Sequence, residues 1–121
     1  MGTNRSLLKS FSFAFEGIKE ALKEEPNFRI HILIGVIALI LASFLGFSGT
    51  EWAILVFTII FVLTLELINT AIEDTVNLIG KEISKEAKAA KDVMAAAVLL
   101  GAVLATLVGL ILFLPKITAL I

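Results

Sequence analysis

The sequence predicts an all-α integral membrane protein of one compact unit, with an amphipathic surface helix at the amino terminus and three transmembrane helices. Three observations predict it. Of 121 residues, 59 % are hydrophobic and 17 % charged, with a mean hydropathy of +1.02, far more apolar than a soluble domain of this length. The charges are gathered between three long uncharged runs. The stretch ahead of the first run has helical periodicity but carries charges throughout, so it can lie on a bilayer and not cross it. With 10 basic and 11 acidic residues the net charge is close to zero, and nothing points to a nucleic-acid partner. There is no cysteine, which excludes disulfides, thiolate zinc sites and a cysteine nucleophile. The opening residues run straight into a charged segment, so no cleaved signal peptide is expected.

Residues 5–24 form the amphipathic helix. Leu7, Leu8, Phe11, Phe15, Ile18 and Leu22 share a narrow arc of the wheel, opposite Lys9, Ser12, Glu16, Lys19, Glu20 and Lys23. Phe13 is an aromatic on the polar side, either a lone exposed ring or a cover for a ligand. Pro26 interrupts the helix, because the residue before a proline is driven out of the α region. The first span is placed at 29–48, and the segment from Gly46 to Thr50 reads as a tight turn. The second span, 51–79, opens at Trp52, a candidate interfacial anchor, and Gly80 is its stop. Residues 81–90 are a charged, alanine-rich connection, a short helix or a loop. The third span, 90–114, ends before Pro115, and Gly101, Ala102, Ala105 and Gly109 suit close helix packing.

One stretch breaks the apolar pattern. Glu66, Asn69, Glu73 and Asn77 fall within about 80° of one another on a helical wheel, so the second span carries a single polar stripe. The uncharged run before it, Trp52 to Leu65, is ~21 Å long at about 1.5 Å per residue. A hydrocarbon core of ~30 Å puts Glu66 in its outer part and Glu73 near the surface. Ionisable groups at such depth cost several kcal/mol and normally face a protein interior or a cavity. The alternative is a stripe that only joins helices, for which a carboxylate pair is an expensive choice.

The basic residues fix orientation. Arg5, Lys9, Lys19, Lys23 and Arg29 precede the first span, and Lys81, Lys85, Lys88 and Lys91 lie between the second and third. The turn between the first two spans has none. The positive-inside rule then puts the amino terminus and the second connection in the cytoplasm, together with the stripe, Glu25 and Asp92.

Hard divalent cations take oxygen ligands, commonly one or two carboxylates completed by phosphate and water. Glu25 and Glu73 are candidate Mg²⁺ donors, and Glu66, deeper and partly desolvated, is a candidate general base. With Lys91 they make a constellation suited to phosphoryl transfer. No Gly-x-x-x-x-Gly-Lys-Ser/Thr loop is present, so a nucleotide is not held by a P-loop. On these grounds a membrane enzyme using an interfacial metal stands beside a small transporter with Glu66 as proton carrier. A purely structural membrane subunit is a third possibility.

The motif Glu66-x-x-Asn69-Thr70-Ala71-x-Glu73, the Ala89-Ala90-Lys91-Asp92 entry to the third span and Glu25-Pro26-Asn27-Phe28-Arg29 resemble the prokaryotic diacylglycerol kinase family over nearly the whole chain. The resemblance implies a single membrane-embedded lipid kinase domain over 1–121 and a homotrimeric helical bundle with active sites shared between subunits. It also implies Mg²⁺-dependent phosphorylation of a lipid alcohol by ATP. On that resemblance Glu66 is the catalytic base and Asn69 the amide beside it. Glu25 and Glu73 hold the metal-bound nucleotide. Lys91, Asp92, Phe13 and the segment Glu82, Ile83 and Ser84 contact or pass the ATP, and Ala95 joins Glu66 and Asn69 at the lipid substrate.

The sequence departs from the family at Asn77, where relatives commonly carry Asp, and at Met94 and Ala95, where some carry Gly and Ser. Arg5 is one position off the expected arginine. Asn27-Phe28-x-x-His31, Glu51-Trp52 and Phe113-Leu114-Pro115-Lys116 resemble the Gram-positive members, which are undecaprenol kinases. Undecaprenol is therefore the expected acceptor, with diacylglycerol as the alternative.

Overall fold

In the computed structural model, residues 4–80 and 84–121 are described, with side chains from Ser6 onward, and they form four helices and no strand. They are α1 (Asn4–Glu24), α2 (Pro26–Leu45), α3 (Gly49–Ile79) and α4 (Lys85–Thr118). The last three are each long and apolar enough to cross a membrane. The chain is a multi-pass membrane protein.

Helix α2 begins at Pro26 itself, three residues earlier than the expected span. Proline at the first helical position loses no hydrogen bond, since that N–H has no helical partner; only Glu25 before it is extended, at φ −114° and ψ 102°. The helix ends on Gly46, whose φ of 68° lies in the left-handed region that a Cβ disfavours. Ser48 then caps α3. Its hydroxyl accepts from the Glu51 N–H at 3.2 Å and its own N–H donates to Glu51 Oε1 at 2.9 Å, a reciprocal pair that satisfies two otherwise orphaned donors.

Helix α4 is longer than the expected span at both ends. It starts at Lys85, so much of the charged connection is its first turns, capped by Ser84 Oγ accepting from the Ala87 N–H at 3.0 Å. It also continues through Pro115 to Thr118. A proline three residues from a helix end removes only one ladder bond, and the Ala119 N–H still reaches the Pro115 carbonyl at 3.2 Å.

Packing is concentrated between α3 and α4, then between α2 and α3, whereas α2 and α4 barely touch. Gly101 permits the closest approach, because a Cβ there would lie 2.6 Å from Leu65 Cδ1. Gly109 does not serve that purpose. No side chain lies within 4 Å of where its Cβ would stand, and it faces a groove instead.

The core sits at the α2–α3 turn end. Ala42, Phe47, Leu55 and Leu112 are buried, flanked by Trp52 and Phe113. The Phe47 ring lies 4.9 Å from that of Phe113 and 6.1 Å from that of Trp52. Lys116 Nζ stands 5.8 Å above the Phe47 ring and 3.1 Å from Glu51 Oε1, tying α4 to the start of α3. At the other end, Arg29 of α2 donates to the Leu22 and Lys23 carbonyls at 2.9 and 3.1 Å. These are unpaired carbonyls of the last turn of α1, so Arg29 sets the corner in which Glu25 sits.

Candidate active site

Unbroken helix from Gly49 to Ile79 puts Glu66, Asn69, Glu73 and Asn77 on one face, and burial falls along it. Glu66 is 3 % exposed, Asn69 and Glu73 are half-buried, and Asn77 is exposed. Helix α3 is about 46 Å long and α4 about 51 Å, so both outrun a hydrocarbon core of ~30 Å. The last turns of α3 meet the first turns of α4 beyond it.

Glu66 is the buried carboxylate of the described residues. Its Oε1 has no hydrogen-bond partner among them, although His31 Nε2 of α2 stands 3.3 Å away. That distance is in the ion-pair range, without the alignment of a hydrogen bond. A buried acceptor left unmatched costs about 1–3 kcal/mol, and such an atom is a place where a donor belongs.

From His31 a groove runs between α2, α3 and α4, with a cavity volume of about 400 Å³. Gly35, Ala38 and Leu41 line it from α2, Leu55 and Val62 from α3, and Gly109 from α4. Along α2 it is about 15 Å long. Thr58 and Thr106 line it too, but their hydroxyls donate to the Ile54 and Ala102 carbonyls of their own helices at 2.7 and 2.9 Å. The wall is therefore chemically hydrocarbon, with one polar end at His31, beside which Glu66 stands.

Glu25 is half-buried at the α1–α2 corner, and its side chain caps nothing. Its carboxyl is held above the ordinary range, first by desolvation and then by the charges of Glu73, Asp74, Glu66 and Glu24. The structure thus brings Glu25 into the field of the α3 stripe. An oxygen-only donor pair that repels itself fits a small hard cation such as Mg²⁺. Among the described residues no three acidic, His or Cys groups gather closely enough to bind a metal unaided. A cation held there would need other oxygens, from phosphates and water, to complete its shell.

Asn69 Nδ2 reaches Glu73 Oε1 at 3.5 Å. Lys91 donates to Asn77 Oδ1 at 2.9 Å across the α3–α4 junction, and Asp92 pairs with Lys88 at 2.7 Å. Asp92, Phe13 and Ala95 are exposed. Ser84 is engaged as the α4 cap, and Glu82 and Ile83 lie outside the described residues. One chain therefore gathers Glu66, Asn69, Glu73 and Glu25, and leaves Phe13, Asp92 and Ala95 facing outward.

The family described as prokaryotic diacylglycerol kinase matches residues 12–113. The chain belongs to that family. It is 44 % identical to an undecaprenol kinase of Bacillus subtilis, over 89 % of this chain and 88 % of that protein. It is 42 % identical to a diacylglycerol kinase of Synechocystis, over 95 % of this chain but 66 % of that protein, whose length it spans only in part. A diacylglycerol kinase of Escherichia coli is 28 % identical over 88 % of the chain. Membership in this lipid kinase family removes the transporter and the purely structural subunit, which composition and spacing had left open. Sequence reasoning missed the pairing of His31 with Glu66; the signal was a lone ionisable group in the uncharged run of α2. It also missed Arg29 as the clamp on α1 and Gly109 as a groove residue.

Proposed function

We propose that the protein transfers the γ-phosphoryl group of ATP to undecaprenol in a Mg²⁺-dependent reaction, yielding undecaprenyl phosphate. One observation carries the reading: a buried carboxylate oxygen without a hydrogen-bond partner lies 3.3 Å from His31 Nε2, and His31 lines one end of a groove with hydrocarbon walls. A lipid alcohol has the matching form, a single O–H at the end of a long apolar chain. The two hydroxyls that line the groove are both spent on carbonyls of their own helices, which favours the polyisoprenoid over diacylglycerol, as does the resemblance of 27–31, 51–52 and 113–116 to Gram-positive members.

In the mechanism the chain lies in the groove and its hydroxyl donates to Glu66 Oε1. Glu66 takes the proton as the alcohol oxygen attacks the γ-phosphorus; the new O–P bond forms as the bond to the β-phosphate oxygen breaks, and ADP leaves. Asn69 orients the reacting groups, and Lys91, with Asp92 and Phe13, contacts the nucleotide. Glu25 and Glu73 would hold Mg²⁺, which would offset charge on the transferring group. The outward position of Phe13 and Asp92 supports a homotrimer whose sites are completed by neighbouring subunits. The paired basic segments support a site on the cytoplasmic face of the membrane with the amino terminus inside.

The test is phosphate transfer from ATP by the purified protein in lipid discs holding undecaprenol or diacylglycerol at equal mole fraction. Preference for undecaprenol is expected. Preference for diacylglycerol keeps the mechanism and overturns the substrate, and silence with both overturns the kinase reading.

A further inference from the structure

Every polar group of the α3 stripe has a solvent-facing side except Glu66. Its carboxylate is buried on a side chain whose last torsion is soft, so packing alone does not fix the position of the reacting oxygen. General base catalysis needs that oxygen within about 2.6–3.2 Å of the proton it removes, and misplacement by about 1 Å costs on the order of 10²-fold. The neighbour able to fix it is His31. Its Nε2 is 3.3 Å from Oε1, it belongs to a different helix, and it lines the polar end of the groove. It is also the one histidine of the sequence.

We propose that His31 is the positioning residue of the site: its imidazole N–H holds Glu66 Oε1 beside the end of the groove that His31 lines, leaving the oxygen's second lone pair for the incoming hydroxyl. A carboxylate oxygen accepts two hydrogen bonds, so imidazole and alcohol share it without competing. The same contact joins α2 to α3 at the depth of the chemistry, so groove wall and base move together. This inference rests on the lipid kinase reading for its consequence, and on geometry alone for the pairing.

Two measurements separate these. Untagged protein labelled with ¹⁵N-histidine gives the imidazole signals of a single residue. The Nε2 signal is expected to move in Glu66→Gln and to stay in place in Glu73→Gln; an Nε2 signal indifferent to Glu66→Gln overturns the pairing, whether or not the protein is a kinase. In the transfer assay His31→Leu is expected to lower kcat about 10²-fold with KM for Mg-ATP unchanged. His31→Gln, which retains an N–H donor, is expected to recover most of that loss. A Leu variant within about twofold of wild type, or a well-folded Gln variant as slow as Leu, overturns the positioning role. If the Leu variant does not assemble, the Gln variant and the ¹⁵N signal decide. Wild-type protein that phosphorylates no lipid alcohol defeats the kinase reading and leaves the ¹⁵N result to judge the pair.

Discussion

Glu66→Gln separates chemistry from folding with unusual clarity, because the substitution keeps the shape of a side chain that is only 3 % exposed. Two structural effects oppose each other. The amide places an N–H₂ where one carboxylate oxygen stood; left without an acceptor it costs about 1–3 kcal/mol. Against that, a buried acceptor left unmatched is removed, and its cost is of the same order, about 1–3 kcal/mol. The remaining amide oxygen can still face His31 Nε2, 3.3 Å away in the parent. Stability is therefore expected to hold or rise. Activity is not: losing a general base costs about 10²–10⁴-fold, or about 3–5 kcal/mol of barrier at 1.36 kcal/mol per decade. The assay is transfer of labelled phosphate from saturating Mg-ATP to undecaprenol in lipid discs, with Tm measured on the same preparation. A variant with unchanged Tm that keeps more than about a tenth of wild-type kcat removes Glu66 from the role of base.

Three further outcomes are expected. Gly109→Leu finds no clash at its Cβ and fills the groove, so transfer to undecaprenol should fall at least about tenfold while assembly, read by cross-linking, is kept; unchanged transfer would place the lipid elsewhere. Glu25 has its carboxyl pushed up, by burial first and then by Glu73, Asp74, Glu66 and Glu24, so the folded protein holds a proton that the unfolded chain has released. Its contribution is favourable at low pH and is lost as pH rises from the ordinary 4.5 through the raised value. In EDTA, Tm should therefore fall over that window less in Glu25→Gln than in wild type, and equal slopes would count against the cluster. Ser84→Ala removes the bond from the Ala87 N–H and should cost about 1 kcal/mol, seen as faster amide exchange in the first turn of α4; unaltered exchange would mean that the cap is idle.

How much of this was legible in the sequence depends on whether a property lives within one helix or between two. The polar stripe is a property of one helix, and its spacing alone placed Glu66, Asn69 and Glu73 on a common face. The turn at Gly46 and the stop at Gly80 announce themselves by residue type. Helix ends were harder where a rule has two faces: Pro26 both ends α1 and begins α2, and Pro115 breaks nothing because α4 has only a turn left. Relations between helices were not legible. Gly101 and Gly109 are alike in sequence, yet one faces Leu65 and the other open space. Nothing in the chain near His31 says that Glu66, thirty-five positions away, is its neighbour.

The helices are fastened unequally, and this has a mechanical meaning. Around Phe47, three rings, the Ser48–Glu51 cap and the Lys116–Glu51 pair lock the turn end of α2, α3 and α4. Beyond it α3 and α4 stay packed through Gly101 and Leu65 to the Lys91–Asn77 bond, whereas α2 hardly meets α4 at all. The bundle is a pair of tweezers with its rivet far from its tips. Along α2, from Ala42 to Phe28, the lever is about 21 Å, so a tilt of about 5° at the rivet, well inside the scatter of helix crossing angles, moves the tip by ~2 Å. On the lipid kinase reading, a tilt of α2 is a way to admit a hydrocarbon chain sideways while the joint stays packed, and substitutions at Phe47 or Trp52, outside the groove lining, are expected to change how far α2 swings.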